Sequence, residues 1–376
     1  MNKTNHEMNK NEEPVKATLI LSDGSRFCGT SFGYVRPIAG EVVFNTAMNG
    51  YPESLTDPSY AGQMMTLTYP LIGNYGVPPF TFEDNGLPTF MESEKIHVEA
   101  LIVCDYSEEY SHWNAVESLS SWLKREKVPG ITGIDTRQLT KQLREQGVMM
   151  GKIVFGDPDH QEEEVEIPDY SSINYVDRVS CKEVIRYNEG KDKKKVVLVD
   201  CGVKDNILRC LMKRDVEIIR VPWNYDYNSM QYDGLFISNG PGDPNNCMEA
   251  VNNLRKAMHN EQLPIFGICM GNQLLSVAGG GKVYKLKYGH RSHNQPVRQV
   301  GTERCFITTQ NHGYAVDNNS LGKDWQPLFV NMNDGSNEGV RHLHNPWFSA
   351  QFHPEAASGP TDTEFLFDKF INLLKA

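Results

Sequence analysis

The chemistry in this sequence gathers around one cysteine. Gly267-Ile-Cys269-Met-Gly271 follows the apolar run Pro264-Ile-Phe-Gly-Ile268 and precedes a helix-forming stretch, so it reads as a strand–turn–helix junction with sulfur at its apex. The two glycines permit a sharp turn that pushes the central side chain out over a sheet edge. A helix that begins just after Cys269 sets its positive end beside the sulfur and favours thiolate. Taken alone, the same five residues also describe a packing turn around an inert thiol.

Gln351-Phe-His353-Pro-Glu355 supplies a base for that sulfur. Pro354 confines His353 to extended backbone, where residues two apart point the same way, which brings Glu355 beside it. A carboxylate on one imidazole nitrogen fixes the tautomer and leaves the other nitrogen to act on sulfur. A lone histidine before proline is commonly structural; the cysteine turn is what gives this one a task. Acyl transfer also needs two donors aimed at the developing oxyanion. The N–H of Met270 is one candidate, and an N–H from Ser238-Asn-Gly240-Pro-Gly242-Asp-Pro, at the end of another apolar strand, is the second. Losing one such donor costs about 3–4 kcal/mol of transition-state stabilisation. Gln273 lies four residues after Cys269, on the same helix face, within reach of a substrate over the sulfur. An exposed helical glutamine is the commoner case.

The elements that must hold these groups alternate after Lys195. Val196-Val-Leu-Val, Val216-Glu-Ile-Ile-Arg-Val, Gly234-Leu-Phe-Ile-Ser and Pro264-Ile-Phe-Gly-Ile read as strands, with helices expected over 206–214, 249–260 and 273–278. Continuous apolar strands separated by helices predict a doubly wound, mostly parallel α/β sheet covered on both faces. Ligands of such sheets bind outside the carboxyl ends of the strands. Before this unit, residues 17–155 read as a mixed β-and-α domain. Asp23-Gly24 marks a hairpin turn, strands fall near 41–44, 64–69 and 98–104, and helices are expected near 113–125 and 136–146, the second capped by Gly147. Residues 156–195, which hold the acidic run 162–166 and the basic run 191–195, read as a solvated linker. Residues 1–16 form a polar extension, expected to be ragged and unlike a signal peptide.

Composition narrows the class. At 376 residues two domains are the default, and 39% apolar residues suit ordinary globular cores. Thirty-seven basic against 48 acidic residues leave a net charge of −11, which repels nucleic acid and anionic lipid. The eight cysteines, at 28, 104, 181, 201, 210, 247, 269 and 305, form no Cys-x-x-Cys pair, so neither a disulfide framework nor a metal site is expected. The pattern fits reduced thiols in a cytoplasmic protein. No apolar run has the length of a membrane span.

A cysteine elbow, a His-Pro-Glu base and a glycine loop together resemble the class I, triad-type glutamine amidotransferases, and Asn311-His-Gly-Tyr314 strengthens the resemblance. Phe44-Asn-Thr-Ala-Met-Asn-Gly-Tyr51, Leu55-Thr-Asp-Pro-Ser-Tyr60, Leu67-Thr-Tyr-Pro-Leu-Ile-Gly-Asn74 and Ile134-Asp-Thr-Arg-Gln-Leu-Thr140 resemble the small subunit of carbamoyl-phosphate synthase. The resemblance runs from about residue 17 to the end. It implies a swivelling β/α N-terminal domain joined to a flavodoxin-like glutaminase domain over 196–376. Cys269 would form a glutamyl thioester, with His353 as acid/base and Glu355 as its orienter. Gly240, Gly242, Met270, Gln273, Asn311, Gly313 and Tyr314 would hold L-glutamine. The ammonia would pass to a large subunit that makes carbamoyl phosphate from bicarbonate for arginine and pyrimidine synthesis. ATP and a divalent cation are expected on that partner, since no P-loop occurs here. No cofactor is expected on this chain. The heterodimer is open to assembly into a higher oligomer.

Three positions depart from the family pattern: Ala47 stands where a serine near the bound glutamine is usual, Asn272 where histidine is usual, and Met270 where leucine is usual. The alternatives are the glutaminase subunit of another synthase, a stand-alone cysteine hydrolase on the same sheet, or a silent scaffolding homologue. The N-terminal motifs select against the first, the extra domain against the second, and the intact Cys269, His353 and Glu355 against the third.

Overall fold

The computed structural model describes residues 13–156 and 165–374. Asp23-Gly24 turns the chain between Lys16–Leu21 and Arg26–Ser31, which pair antiparallel with Gly24 at φ +87°. These two strands close a seven-stranded barrel with Gly130–Thr132, Ala100–Ile102, Gln63–Leu67, Ile38–Asn45 and Met149–Phe155. Adjacent residues of the barrel strands point to opposite sides, as a period of two requires. Val42, Met64 and Ile102 join Leu139 and Leu143 of the helix Thr136–Gln146 in one core, while Val43, Met65 and Leu101 join Trp122 and Leu123 in another.

In the second unit five parallel strands follow the order second, first, third, fourth, fifth: Glu217–Pro222, Lys195–Asp200, Gly234–Ile237, Ile265–Ile268 and Trp347–Ala350. Both faces are apolar for the reason the strands are uninterrupted. Val196, Leu198, Phe236 and Phe266 pack under Asp205–Met212 and Phe365–Leu374; Val197, Val199, Leu235 and Ile265 pack under Met248–Ala257 and Met270–Ala278. Each fully buried Leu or Phe contributes roughly 1.5–3 kcal/mol.

The structure departs from the sequence reading in four places. The sheet is less parallel than expected, because Asn337–His342, Trp325–Asn331, Val283–Gln299 and Cys305–Val316 extend it antiparallel. Four of its nine pairings are parallel and five antiparallel. Part of the supposed linker is structured: Tyr175–Val179 is helical and Ile185–Tyr187 pairs with the edge strand Glu217–Pro222. The helix expected over 113–125 begins only at Leu119, where the Ser118 hydroxyl caps the Ser121 N–H, and Glu117 bridges to Val77 instead. The basic run is anchored as well as exposed, Lys193 pairing with Asp215 and Lys194 with Asp233, both at 2.9 Å. Residues 1–12 of the extension and 162–164 of the acidic run lie outside the described residues. Among the described residues, no helix is long and apolar enough to cross a membrane.

Candidate active site

Cys269 sits between the strand Ile265–Ile268 and the helix Met270–Ala278 with φ +55° and ψ −102°, a conformation that costs a non-glycine residue about 1–3 kcal/mol. The flanking glycines are needed for close approach. A Cβ on Gly267 would run into the Gly271 carbonyl, and one on Gly271 would run into the Ile237 carbonyl of the neighbouring strand. The strain thus rests on the cysteine itself, and the backbones on either side are locked together. Cys269 is 2% exposed, and its thiol lies 3.6 Å from the carbonyl oxygen of Asn311. Met270 opens the helix, where amide N–H groups have no intrahelical acceptor.

His353 is brought to the same place by a bridge to Thr309 of the antiparallel extension, its N–H donating to the Thr309 carbonyl at 2.9 Å. Its Nδ1 donates to Glu355 Oε1 at 2.7 Å, which fixes the tautomer. Nε2 is buried with no hydrogen-bond partner among the described residues, which leaves it open to act on sulfur, and Cys269 is near enough to favour the charged imidazole. Burial opposes the imidazolium, but Glu355 and Cys269 outweigh it and hold His353 at about 10. Burial likewise opposes the Glu355 carboxylate, yet Lys204 first and His353 second pull it to about 2. A thiol facing an imidazole this basic is set up for a thiolate–imidazolium pair.

Lys204 is the charged group the sequence reading missed. It is 3% exposed, and its Nζ lies 3.2 Å from Glu355 Oε1 and donates to the Ala356 carbonyl at 2.7 Å. It follows the first parallel strand, while Gly240 follows the third, its neighbour in the sheet. These flank the point where strand order reverses, which is the signal that would have pointed to Lys204.

A small cavity of about 30 Å³, room for one or two waters, brings together Cys269, Gly240, Gly242, Gln273, Asn311, Gly313 and Tyr314. Gly240 packs where a Cβ would overlap the Cys201 carbonyl, and Gly242 has φ +84°. Gln273 is 3% exposed and its amide nitrogen donates to the Tyr314 carbonyl at 3.0 Å, so it braces the Asn311–Tyr314 segment. Ala47 does not line this cavity; it is buried two residues past the barrel strand Ile38–Asn45, its N–H donating to Asn45 Oδ1 at 2.7 Å. Asn272 ties the helix to the sheet, donating to Gln351 at 2.7 Å and accepting from Ser349 at 2.7 Å.

The barrel completes the site. Glu41, Ser59 and Gln63 line the cavity from the far side. Asp57 Oδ2 accepts from Asn311 Nδ2 at 3.0 Å, and Ser59 Oγ accepts from Asn239 Nδ2 at 2.8 Å. These pairs lie 254 and 180 residues apart in sequence, and no local pattern announces them. His290, His312 and Glu338 also cluster, but His290 lies between Asp334 and Glu338, at 2.9 and 3.4 Å, which reads as an ionic network.

Comparison with known proteins agrees with this geometry. Residues 19–153 match the family described as carbamoyl-phosphate synthase small chain, CPSase domain, and residues 197–373 match glutamine amidotransferase class-I. A carbamoyl phosphate synthase arginine-specific small chain from Candida albicans is 50% identical over 95% of this chain and 85% of its own length. The multifunctional protein pyr1-3 of Dictyostelium discoideum is 49% identical over 95% of this chain, and the multifunctional protein CAD of Squalus acanthias 51% over 94%. This chain spans only 17% and 16% of those two proteins. The chain belongs to the carbamoyl-phosphate synthase small-chain family, with a class I glutamine amidotransferase domain.

Proposed function

We propose that this chain hydrolyses L-glutamine to glutamate and ammonia as the glutaminase subunit of carbamoyl-phosphate synthase. The observation that carries the reading is the strained Cys269 at a helix start, facing a His353–Glu355 pair inside a cavity walled by both units. His353 takes the thiol proton, the thiolate attacks the side-chain carbonyl, and the oxyanion meets N–H groups of Met270 and the Gly240–Gly242 loop. The imidazolium then gives its proton to the leaving ammonia, and water activated by the same imidazole releases glutamate from the thioester. Gln273, Asn311, Gly313 and Tyr314 hold the substrate.

Ammonia protonated in bulk water is no nucleophile, so its transfer to a synthase needs a shielded path. Asn311 lines both the Cys269 cavity and a second one behind His353, and Glu53 and Ala357 line both that second cavity and an open groove of about 630 Å³ near Trp113. This succession supports a route out for ammonia; at its end we place a large subunit that would hold ATP and its divalent cation and form a cytoplasmic heterodimer with this chain. The several-fold longer relatives support a partner joined to the same reaction. Glutamine has to enter a narrow cavity walled by both units, and a swivel of the barrel away from the sheet is the opening movement we assign. Ammonia release by the purified chain is therefore expected to rise at least tenfold when the large subunit is added; equal rates with and without it would contradict the coupling.

Ala47 lies two residues from Asn45, which lines the cavity behind His353. The Ala47→Ser variant is expected to bind glutamine more tightly through one added hydrogen bond, worth roughly 0.5–1.5 kcal/mol and read as a lower KM. An unchanged KM would leave position 47 to barrel packing.

A further inference from the structure

Lys204 holds Glu355, and something must hold Lys204. Its Nζ and His353 Nδ1 both address the same oxygen, Glu355 Oε1, at 3.2 and 2.7 Å. An ammonium satisfied by Glu355 alone would draw that oxygen's charge away from the imidazole. The counterweight comes from the N-terminal unit. Glu92 is 1% exposed, and its Oε2 lies 3.9 Å from Lys204 Nζ.

The same carboxylate fixes the start of the helix that follows Lys204. Glu92 Oε2 accepts from the Asn206 N–H at 3.2 Å, and the Glu92 carbonyl accepts from the Asp205 N–H at 2.9 Å. Its other oxygen lies 3.5 Å from Arg209, one turn along that helix, and Arg209 donates to the carbonyl oxygens of Pro88 and Met91. A helix N-terminus is where a carboxylate is favoured. Glu92 thus bridges the two units at the residue next to the one that pairs with Glu355.

We propose that Glu92 is a positioning residue for the triad: reaching across from the N-terminal unit, it shares Lys204 with Glu355 and so leaves Glu355 free to orient and charge-balance His353. This rests on the glutaminase reading and adds a means by which the placement of the barrel reaches the nucleophile. The groups facing Glu92 are Lys204, Arg209, Asp205 and Glu355; those facing Lys204 are Glu355, Glu92, Asp57, Glu53, Tyr60 and His293. Burial pushes the Glu92 carboxyl up to about 8 against the pull of Lys204 and Arg209. The group is therefore protonated at lower pH and gains its full hold on Lys204 only as pH rises through that value.

The sign of the effect follows. Glu92→Gln fixes the uncharged form at every pH. Its kcat for glutamine is expected to approach that of wild type near pH 6.5 and to fall about tenfold below it near pH 9, with KM within about twofold throughout. Glu92→Asp keeps the charge but withdraws it by one methylene, and is expected to give an intermediate ratio with the same pH trend. Glu83→Gln, at a half-buried carboxylate 3.3 Å from Arg209, serves as the control and leaves the ratio at one. Thiol alkylation of Cys269, followed on its own peptide by mass spectrometry, is the second readout. Its pH midpoint moves upward by about one unit in Glu92→Gln.

A purely structural contribution would lower kcat by the same factor at all pH values, and that result would overturn the proposal. So would a wild-type pH profile in Glu92→Asp, which decides the matter if Glu92→Gln does not fold. Failure of the underlying reading shows separately, as glutaminase activity that survives Cys269→Ser in the wild-type Glu92 background.

Discussion

Ammonia release from glutamine by Cys269→Ser is expected to fall by about four orders of magnitude, with the melting temperature nearly unchanged. Sulfur and oxygen differ little in volume, so the packing around the turn survives. The chemistry does not, because the site is arranged for an ion pair. His353 is held at about 10 by Glu355 and Cys269, which favours imidazolium beside thiolate. A serine hydroxyl is too weak an acid to give its proton to the imidazole in the ground state, so the ion pair that attacks glutamine does not form. Glutamate formation measured alongside the thermal transition separates the two effects. A variant that retains more than about a tenth of wild-type turnover would show that Cys269 is a packing residue.

The second large effect falls on stability. Gly271→Ala places a methyl group 2.9 Å from the Ile237 carbonyl carbon and nearer still to its oxygen, both backbone atoms of the adjacent strand. Neither can rotate away, so the helix Met270–Ala278 must lift from the sheet. That shift disturbs Leu274 and Leu275, which are 1% and 0% exposed. Overpacking of this kind costs about 3 kcal/mol, equivalent to a drop of roughly 6–12 °C in Tm for a unit of this size. Because Cys269 rides on the same turn, the surviving folded fraction is also expected to lose activity. A Tm within about 2 °C of wild type would mean that the turn yields more readily than its contacts imply.

The cysteine, the histidine and the two glycine loops were readable because each is a local pattern: a strand end, a turn and a neighbour within four residues. The meaning of the glycines was only half visible. Beside Cys269 they suggested freedom to turn, whereas the positive φ there belongs to Cys269, and Gly267 and Gly271 serve by lacking a Cβ. The parallel strands were legible because burial on both faces leaves uninterrupted apolar runs. The antiparallel extension was not, since Val283–Gln299 is polar over much of its length and breaks register with its partner twice. The start of the helix at Leu119 was misplaced because Trp113 and Val116 continue an apolar spacing, yet they are 85% and 59% exposed. Glu92 and Asp57, and the pairing of Lys204 with Glu92 and Glu355, were beyond reach for another reason. Each acts through a partner more than a hundred residues away, so their pairing is a property of the fold, which no period in the sequence encodes.

Covalent attack by Cys269 on glutamine leaves an acyl-enzyme that can be trapped. The direct test is to mix the chain with glutamine, quench in acid during turnover, digest, and locate any glutamyl adduct by mass spectrometry. A glutamyl thioester is expected on the peptide carrying Cys269, and no adduct in Cys269→Ser. Steady release of glutamate with no adduct on that peptide, or an adduct on one of the other seven cysteines, would contradict it.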